Sequence, residues 1–198
     1  VKQIQNVRSY KQRTLVYTVD HVNDLLVWVR GRMCETEADF NGSGDQAADL
    51  SLHDLIVLKW FEHEDTLGFI FTSRTVFRNV ALSVEGQPGE LVCSADGTYK
   101  LHFGGWVLVI CGSVGVVYDD SKGQYLHRFY PWAYMFVRTE SEYAYTEFFT
   151  TVKNCALEFL GVELDVHYGS LDHSAAIASA FENVWPDITL LPCWPHLT

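Results

Sequence analysis

The chain has 198 residues, of which 48 % are hydrophobic and 14 % aromatic, and its formal net charge is −11. This composition can fill a large core, so a disordered chain is not expected. The negative charge also excludes a surface that binds a phosphate backbone along its whole length, because such affinity comes mainly from Lys and Arg. We therefore expect any contact with DNA to be local or assisted by a metal ion.

The cysteines indicate the compartment. There are 5, an odd number at irregular spacings, and no apolar signal region precedes them, so a secreted disulfide framework is not expected. We expect a reducing compartment, the nucleus or the cytosol. The longest apolar stretch, "WVLVICGSVGVVY", is shorter than a membrane span, so no contact with a membrane is expected.

The first part of the chain, residues 1–89, is predicted to be a mainly helical or mixed region. A helix near its start is indicated by apolar residues at three- and four-residue intervals: Val19, Val22, Leu25, Leu26 and Val29. The acidic stretch near residues 34–54 has no periodicity and is predicted to be a loop. "LIVLKWFEHED" fits a helix or a strand, "TLGFIFTS" is rich in β-formers, and "SRTVFRNVALSV" predicts a short helix that begins after Ser73.

The second part, residues 90–198, is predicted to be an α/β domain. "LVCSAD", "WVLVICGSVGVVYDD" and "QYLHRFYPWAYMFVRTE" predict three sequential antiparallel strands. "SEYAYTEFFTTVKNCALEFLGV" predicts a long amphipathic helix that ends at Gly161, and a strand, a helix and a strand follow it. Because crossovers through helices make the later strands parallel, the prediction is a mixed sheet with the order β-β-β-α-β-α-β.

Two aspartates stand at strand ends of this predicted sheet. Asp96 ends the first of the three strands, and Asp172 follows the fourth strand, where a helix begins. These strands are expected to be neighbours, so the two carboxylates would meet at one edge. Paired carboxylates bind hard divalent cations, which activate a water or a hydroxyl in phosphoryl transfer. The structural alternatives are an Asp-Gly turn at Asp96 and a helix N-cap at Asp172.

From Leu91 to Leu197 the chain resembles the transposase domain of Mutator-like elements (MULE), a group of DDE transposases. The resemblance is carried by "ADGT", "TESEYAYTEFF", "DHSAAIASAF", a Trp-Pro and a final "CWPHL", in that order. It implies an RNase H-like fold, with Asp96 and Asp172 in the places of the first two acidic residues of the DDE triad, binding Mg²⁺ or Mn²⁺. The third acid of the family, a Glu, is expected after the C-x-x-H motif and thus beyond Thr198. Three other acids in the chain do not replace this third acid, because they precede Asp172 or follow it closely: Glu158, Glu163 and Glu182.

Two functions remain open at this point. The resemblance implies DNA transposition through phosphodiester chemistry, which we expect to be inactive or incomplete without the third acid. The alternative is a non-catalytic, transposase-derived nuclear regulatory, effector or interaction protein, whose partners would be proteins or DNA. A basic run with Arg8, Lys11 and Arg13 could touch DNA locally.

Cys193 and His196, three residues apart, have the spacing of half a zinc site. A structural zinc site needs four ligands, and the sequence offers no second pair of this kind. Zinc binding is therefore the lesser alternative. Within the resemblance, the two residues serve as a landmark of the family.

Overall fold

The computed structural model describes residues 22–42, 51–64, 66–98, 105–171 and 174–192, and the chain divides into two compact units, 1–32 and 33–198. In the first unit, α1 (Val22–Arg30) confirms the predicted helix over its described part. Its C-terminal end is capped by Arg32, whose Nη1 donates to the Trp28 carbonyl at 3.2 Å. None of the helices in the described ranges is both long and apolar enough to cross a membrane.

The second unit contains a seven-stranded mixed sheet with helices. The strands are β1 (Leu55–His63), β2 (Thr66–Ser73), β3 (Val92–Thr98), β4 (Val107–Asp119), β5 (Gln124–Val137), β6 (Tyr168–Leu171) and β7 (Thr189–Pro192). The helices are α2 (Glu37–Asn41), α3 (Arg74–Phe77), α4 (Asn79–Gly86), α5 (Glu142–Leu160) and α6 (Ala175–Val184). In space the strands follow the order β1-β2-β5-β4-β3-β6-β7.

The predicted β-β-β-α-β-α-β succession is confirmed between β3 and β7. β3, β4 and β5 pair antiparallel, while β6 pairs parallel with β3 and β7 parallel with β6. The two parallel connections run through α5 and α6, as crossovers between parallel strands require. The protein is therefore of the α/β class, and β3 and β6 are neighbours.

The region before residue 90, which was predicted to be mainly helical or mixed, contains two strands of the sheet. The ambiguous "LIVLKWFEH" is β1, which pairs antiparallel with β2, and β2 pairs with β5 through Phe69↔Phe136 and three further positions. The sheet thus continues across the predicted boundary between residues 89 and 90. Rows of aromatic and β-branched residues on neighbouring strands pack well on a pleated surface, which favours strand over helix here.

The stretch near residues 34–54, predicted to be a loop, contains the short helix α2. Thr36 and Asp39 form a capping box: the Asp39 backbone N–H donates to Thr36 Oγ1, and the Thr36 backbone N–H donates to the Asp39 carboxylate. The Thr36 hydroxyl also donates to the Asp39 carboxylate at 2.9 Å. This bond first, and then the bonds from the Glu35 and Thr36 backbone N–H groups, lower the pKa of the Asp39 carboxyl group. The motif was missed because Ser, Gly and Asp around it are typical of loops.

Helix α5 has the caps and the buried face that its sequence predicts. Ser141 Oγ accepts a hydrogen bond from the Ala144 backbone N–H at 3.2 Å, and Gly161 ends the helix in the left-handed region with φ of 64°. Six residues at three- and four-residue intervals form its apolar face and are all buried: Tyr145, Phe148, Phe149, Val152, Ala156 and Phe159. They belong to the main core, together with residues of the central strands.

Candidate functional site

Asp96 lies within β3, in the middle of the sheet between β4 and β6. Its neighbours Cys93 and Ala95 are buried in the core, whereas Asp96 is exposed. Since successive side chains of a strand point to opposite faces, the Asp96 carboxylate lies on the face opposite the one that carries Ala95. It is therefore accessible to a ligand from solvent.

Asp96 is not the turn residue of the structural alternative. Asp96 and Gly97 pair with Ile110 and Val109 of β4, so the Asp-Gly pair continues the strand. The surroundings of residue 97 favour a glycine for a reason other than a turn. A β-carbon there would lie 2.9 Å from Oε1 of Glu140. A side chain at position 97 would therefore push the Glu140 carboxylate aside.

The second predicted site residue, Asp172, lies outside the described residues, as does His173. The strand that precedes it is described, and it pairs with β3 at Val92↔Tyr168, Cys93↔Gly169 and Ser94↔Ser170. Leu171 ends β6 one residue before Asp172 in the sequence. The N-cap of α6 is Ser174, two residues after Asp172 in the sequence.

Glu140 is a carboxylate near β3 that the sequence analysis missed. It precedes the N-cap of α5, and Oε1 accepts a hydrogen bond from the hydroxyl group of the fully buried Tyr145. Because Gly97 and Asp96 face opposite sides of β3, Glu140 lies on the side of the sheet opposite to the Asp96 side chain. We therefore assign it a positioning role for the chain between β5 and α5. In the sequence, the sign that could have pointed to Glu140 was the polar run "TESE" directly before a predicted helix.

Gly97→Ala is expected to lower the free energy of unfolding by about 1–2 kcal/mol, because the new methyl group displaces the Glu140 carboxylate from Tyr145. Chemical denaturation measures this loss. Gly86→Ala is the matched control, since a β-carbon at residue 86 meets nothing within 4 Å. If Gly97→Ala costs as much in a Glu140→Ala background as in the unmodified chain, the steric explanation is wrong.

The described residues hold no cluster of three or more His, Cys, Asp or Glu side chains placed to bind a metal ion. Among the acids considered for the third position, Glu158, Glu163 and Glu182 are all exposed. The predicted zinc ligands Cys193 and His196 fall outside the described ranges, as does the basic run with Arg8, Lys11 and Arg13. Their roles remain predictions.

The four described cysteines are free, buried thiols: Cys34, Cys93, Cys111 and Cys155. Burial raises the pKa of Cys34 to about 11 and that of Cys155 to about 12. It also raises the pKa of Cys93 and Cys111. Because the thiolate is the nucleophile and the metal ligand, these four residues are core side chains and not a reactive site.

We compared the chain with protein-family models, with curated proteins and with solved structures, and none of the three comparisons found a match. The function must therefore be inferred from the residues and their arrangement.

Proposed function

We propose that residues 90–198 form an RNase H-like domain of the MULE transposase type, in which Asp96 and Asp172 bind Mg²⁺ or Mn²⁺. The observation that supports this most is the parallel register of β3 and β6. Ser94 pairs with Ser170, so Asp96 and Asp172 each follow a paired serine by two residues. The proposal extends this register from Leu171, the last residue of β6, to Asp172, which would place the two carboxylates on one face of the sheet.

The chemistry of Asp96 fits a hard divalent cation. Carboxylate oxygens are the ligands that Mg²⁺ and Mn²⁺ prefer, and Asp96 is exposed on the strand and not buried in the core. A bound cation would polarise a phosphodiester oxygen and lower the pKa of an attacking water. In this proposal the two aspartates hold the site at the end of β6, and β3 supplies a rigid platform for it.

Binding of Mn²⁺ by calorimetry tests the site. We expect the unmodified chain to bind Mn²⁺, and Asp96→Asn and Asp172→Asn each to weaken binding at least about tenfold, since each removes one of two charged ligands. Asp187→Asn is the matched control, because Asp187 is an exposed aspartate in the turn after α6. Absence of binding in the unmodified chain, or equal binding in all variants, would contradict the proposal.

The second candidate function is a non-catalytic, transposase-derived interaction protein of the nucleus. The net charge of −11 favours it, because a DNA-processing surface is normally basic. A nicking assay on naked DNA with Mn²⁺ tests the enzyme directly, because cleavage that Asp96→Asn abolishes would support it. Cation binding without cleavage fits both candidates, since the enzyme is expected to be inactive without the third acid.

A further inference from the structure

The β4–β5 hairpin extends beyond the sheet as a two-stranded arm, residues 113–130. The last pair between β3 and β4 is Ser94↔Gly112, and the last pair between β2 and β5 is Phe71↔Tyr134. From Ser113↔Tyr130 to Asp119↔Gln124, β4 and β5 pair with each other. Within the described part of the chain, no other strand continues along either edge of this arm.

One face of the arm is apolar and exposed. Its cross-strand pairs are Val114↔Phe129, Val116↔His127 and Tyr118↔Tyr125, and the two tyrosine rings pack edge to face at 5.1 Å. Of the 11 large hydrophobic side chains that are exposed in the described residues, five lie on this face. Such clustering, as opposed to scattered single residues, is typical of interaction sites.

The base of the arm is held by Gln87, and part of the opposite face is covered by a side chain of the arm itself. The Tyr130 ring covers Gly115 so closely that a β-carbon there would lie 2.7 Å from it. The Gln87 side chain, just after α4, donates to Ser113 Oγ at 2.9 Å and to the Val114 carbonyl at 3.0 Å. The arm is therefore anchored at its base, with one face available. A two-stranded hairpin is marginally stable in water unless a hydrophobic face is covered.

We propose that a second copy of this chain covers this face, by packing the two arms face to face about a twofold axis. In such an arrangement the tyrosines at one tip lie against Val114 and Phe129 at the base of the other arm, and Val116 lies near the axis. An isologous contact of this kind needs only one self-complementary patch.

Area favours a second copy, and charge permits it. A net charge of −11 repels nucleic acid and anionic lipid. Two copies also repel each other over distance, but this face carries no carboxylate, so the contact itself brings no like charges together. The five side chains expose on the order of 500 Å² per copy, so a dimer would bury about 1,000 Å² in total, near the lower limit of specific interfaces. The proposal is thus a weak, concentration-dependent homodimer.

Sedimentation velocity over a concentration series tests this proposal. We expect the unmodified chain to approach the dimer mass as concentration rises, and Val116→Lys to weaken self-association at least about tenfold, because each copy would bury an unpaired charge. Leu157→Lys is the matched control: Leu157 is 60 % exposed on α5 and Val116 57 % exposed on the arm. This control should dimerise like the unmodified chain.

Two outcomes would overturn the homodimer. The first is a monomer at every concentration, which would assign the arm to a different partner. The second is a dimer that Val116→Lys and a second variant, Tyr125→Lys, leave intact. Both side chains are exposed, so the far-ultraviolet circular dichroism spectra should match that of the unmodified chain and show that the variants fold.

Discussion

Arg74→Ala is expected to lower the free energy of unfolding by about 3–5 kcal/mol, because three backbone carbonyls lose a charged donor, and this is a large fraction of the stability of a domain. Arg74 is only 7 % exposed, although it carries a permanent charge. Its guanidinium group donates three hydrogen bonds to backbone carbonyls: Nε to Phe40 at 2.8 Å, Nη2 to Asp39 at 2.7 Å and Nη1 to Ser51 at 3.2 Å. Alanine would leave these acceptors without their donors.

The position of these acceptors explains the expected size of the effect. The carbonyls of Asp39 and Phe40 belong to the last residues of α2, where a helix has no internal donors and carries the negative end of its dipole. Arg74 therefore acts as the cap of α2 from the start of α3. The Phe40 side chain is fully buried and stacks on Phe159 of α5 at 5.1 Å, so loosening α2 disturbs the main core as well.

Urea denaturation followed by tryptophan fluorescence measures the loss. Arg74→Lys keeps the charge but loses the planar fork of donors, so it should retain only part of the stability. Arg128→Ala removes an exposed arginine from the arm and should change stability by less than about 0.5 kcal/mol. Equal losses in Arg74→Ala and Arg128→Ala would show that the carbonyl contacts do not stabilise the fold.

The elements from β3 to β7 could be predicted because their signals are local. The caps at Ser141 and Gly161 and the periodicity of α5 are each read within a few residues. Once three strands are followed by a helix, the right-handed crossover rule leaves few arrangements for β6. The neighbouring positions of β3 and β6, on which the candidate metal site depends, follow from that order.

The features that the sequence did not reveal depend on distant contacts. Gly97 resembles a turn glycine in "ADGT", and only its pairing with Val109 of β4 shows that it lies in a strand. The carboxylate that approaches it belongs to Glu140, 43 residues later in the chain. Arg74 resembles an ordinary surface residue of a short helix, and its burial depends on carbonyls of α2, more than 30 residues earlier in the chain. The sequence of β1 fits either a helix or a strand by its periodicity, and it forms a strand because it pairs with β2.

The second large effect concerns the contact between α5 and α6. Phe149 of α5 and Phe181 of α6 stack with ring centroids 4.3 Å apart, and both side chains are buried. Trp185 lies beside both rings, and its Nε1 donates to the Leu164 carbonyl at 2.9 Å. Phe149→Ala and Phe181→Ala are each expected to lower the free energy of unfolding by about 3–5 kcal/mol, because a buried ring leaves a cavity that its neighbours fill only partly.

A double-mutant cycle separates the stacking contact from the two cavities. We expect a coupling energy of about 0.5–1.5 kcal/mol between the two rings, whereas Leu157→Ala, on the exposed side of α5, should add to Phe181→Ala without coupling. Strictly additive losses for Phe149 and Phe181 would contradict the stacked contact.

The same contact supports β6 and thus the candidate metal site. A β-carbon at Gly169 would lie 3.1 Å from Cδ2 of Phe181, so the ring rests directly on the backbone of β6. Phe181→Leu keeps most of the volume but loses the flat surface that fits there, and it should cost less than about 1.5 kcal/mol of stability. We expect this variant to bind Mn²⁺ more weakly than the unmodified chain while remaining folded, since a shift of β6 moves the residues that follow it. Unchanged Mn²⁺ binding in a folded Phe181→Leu variant would show that the packing of α6 does not position the site.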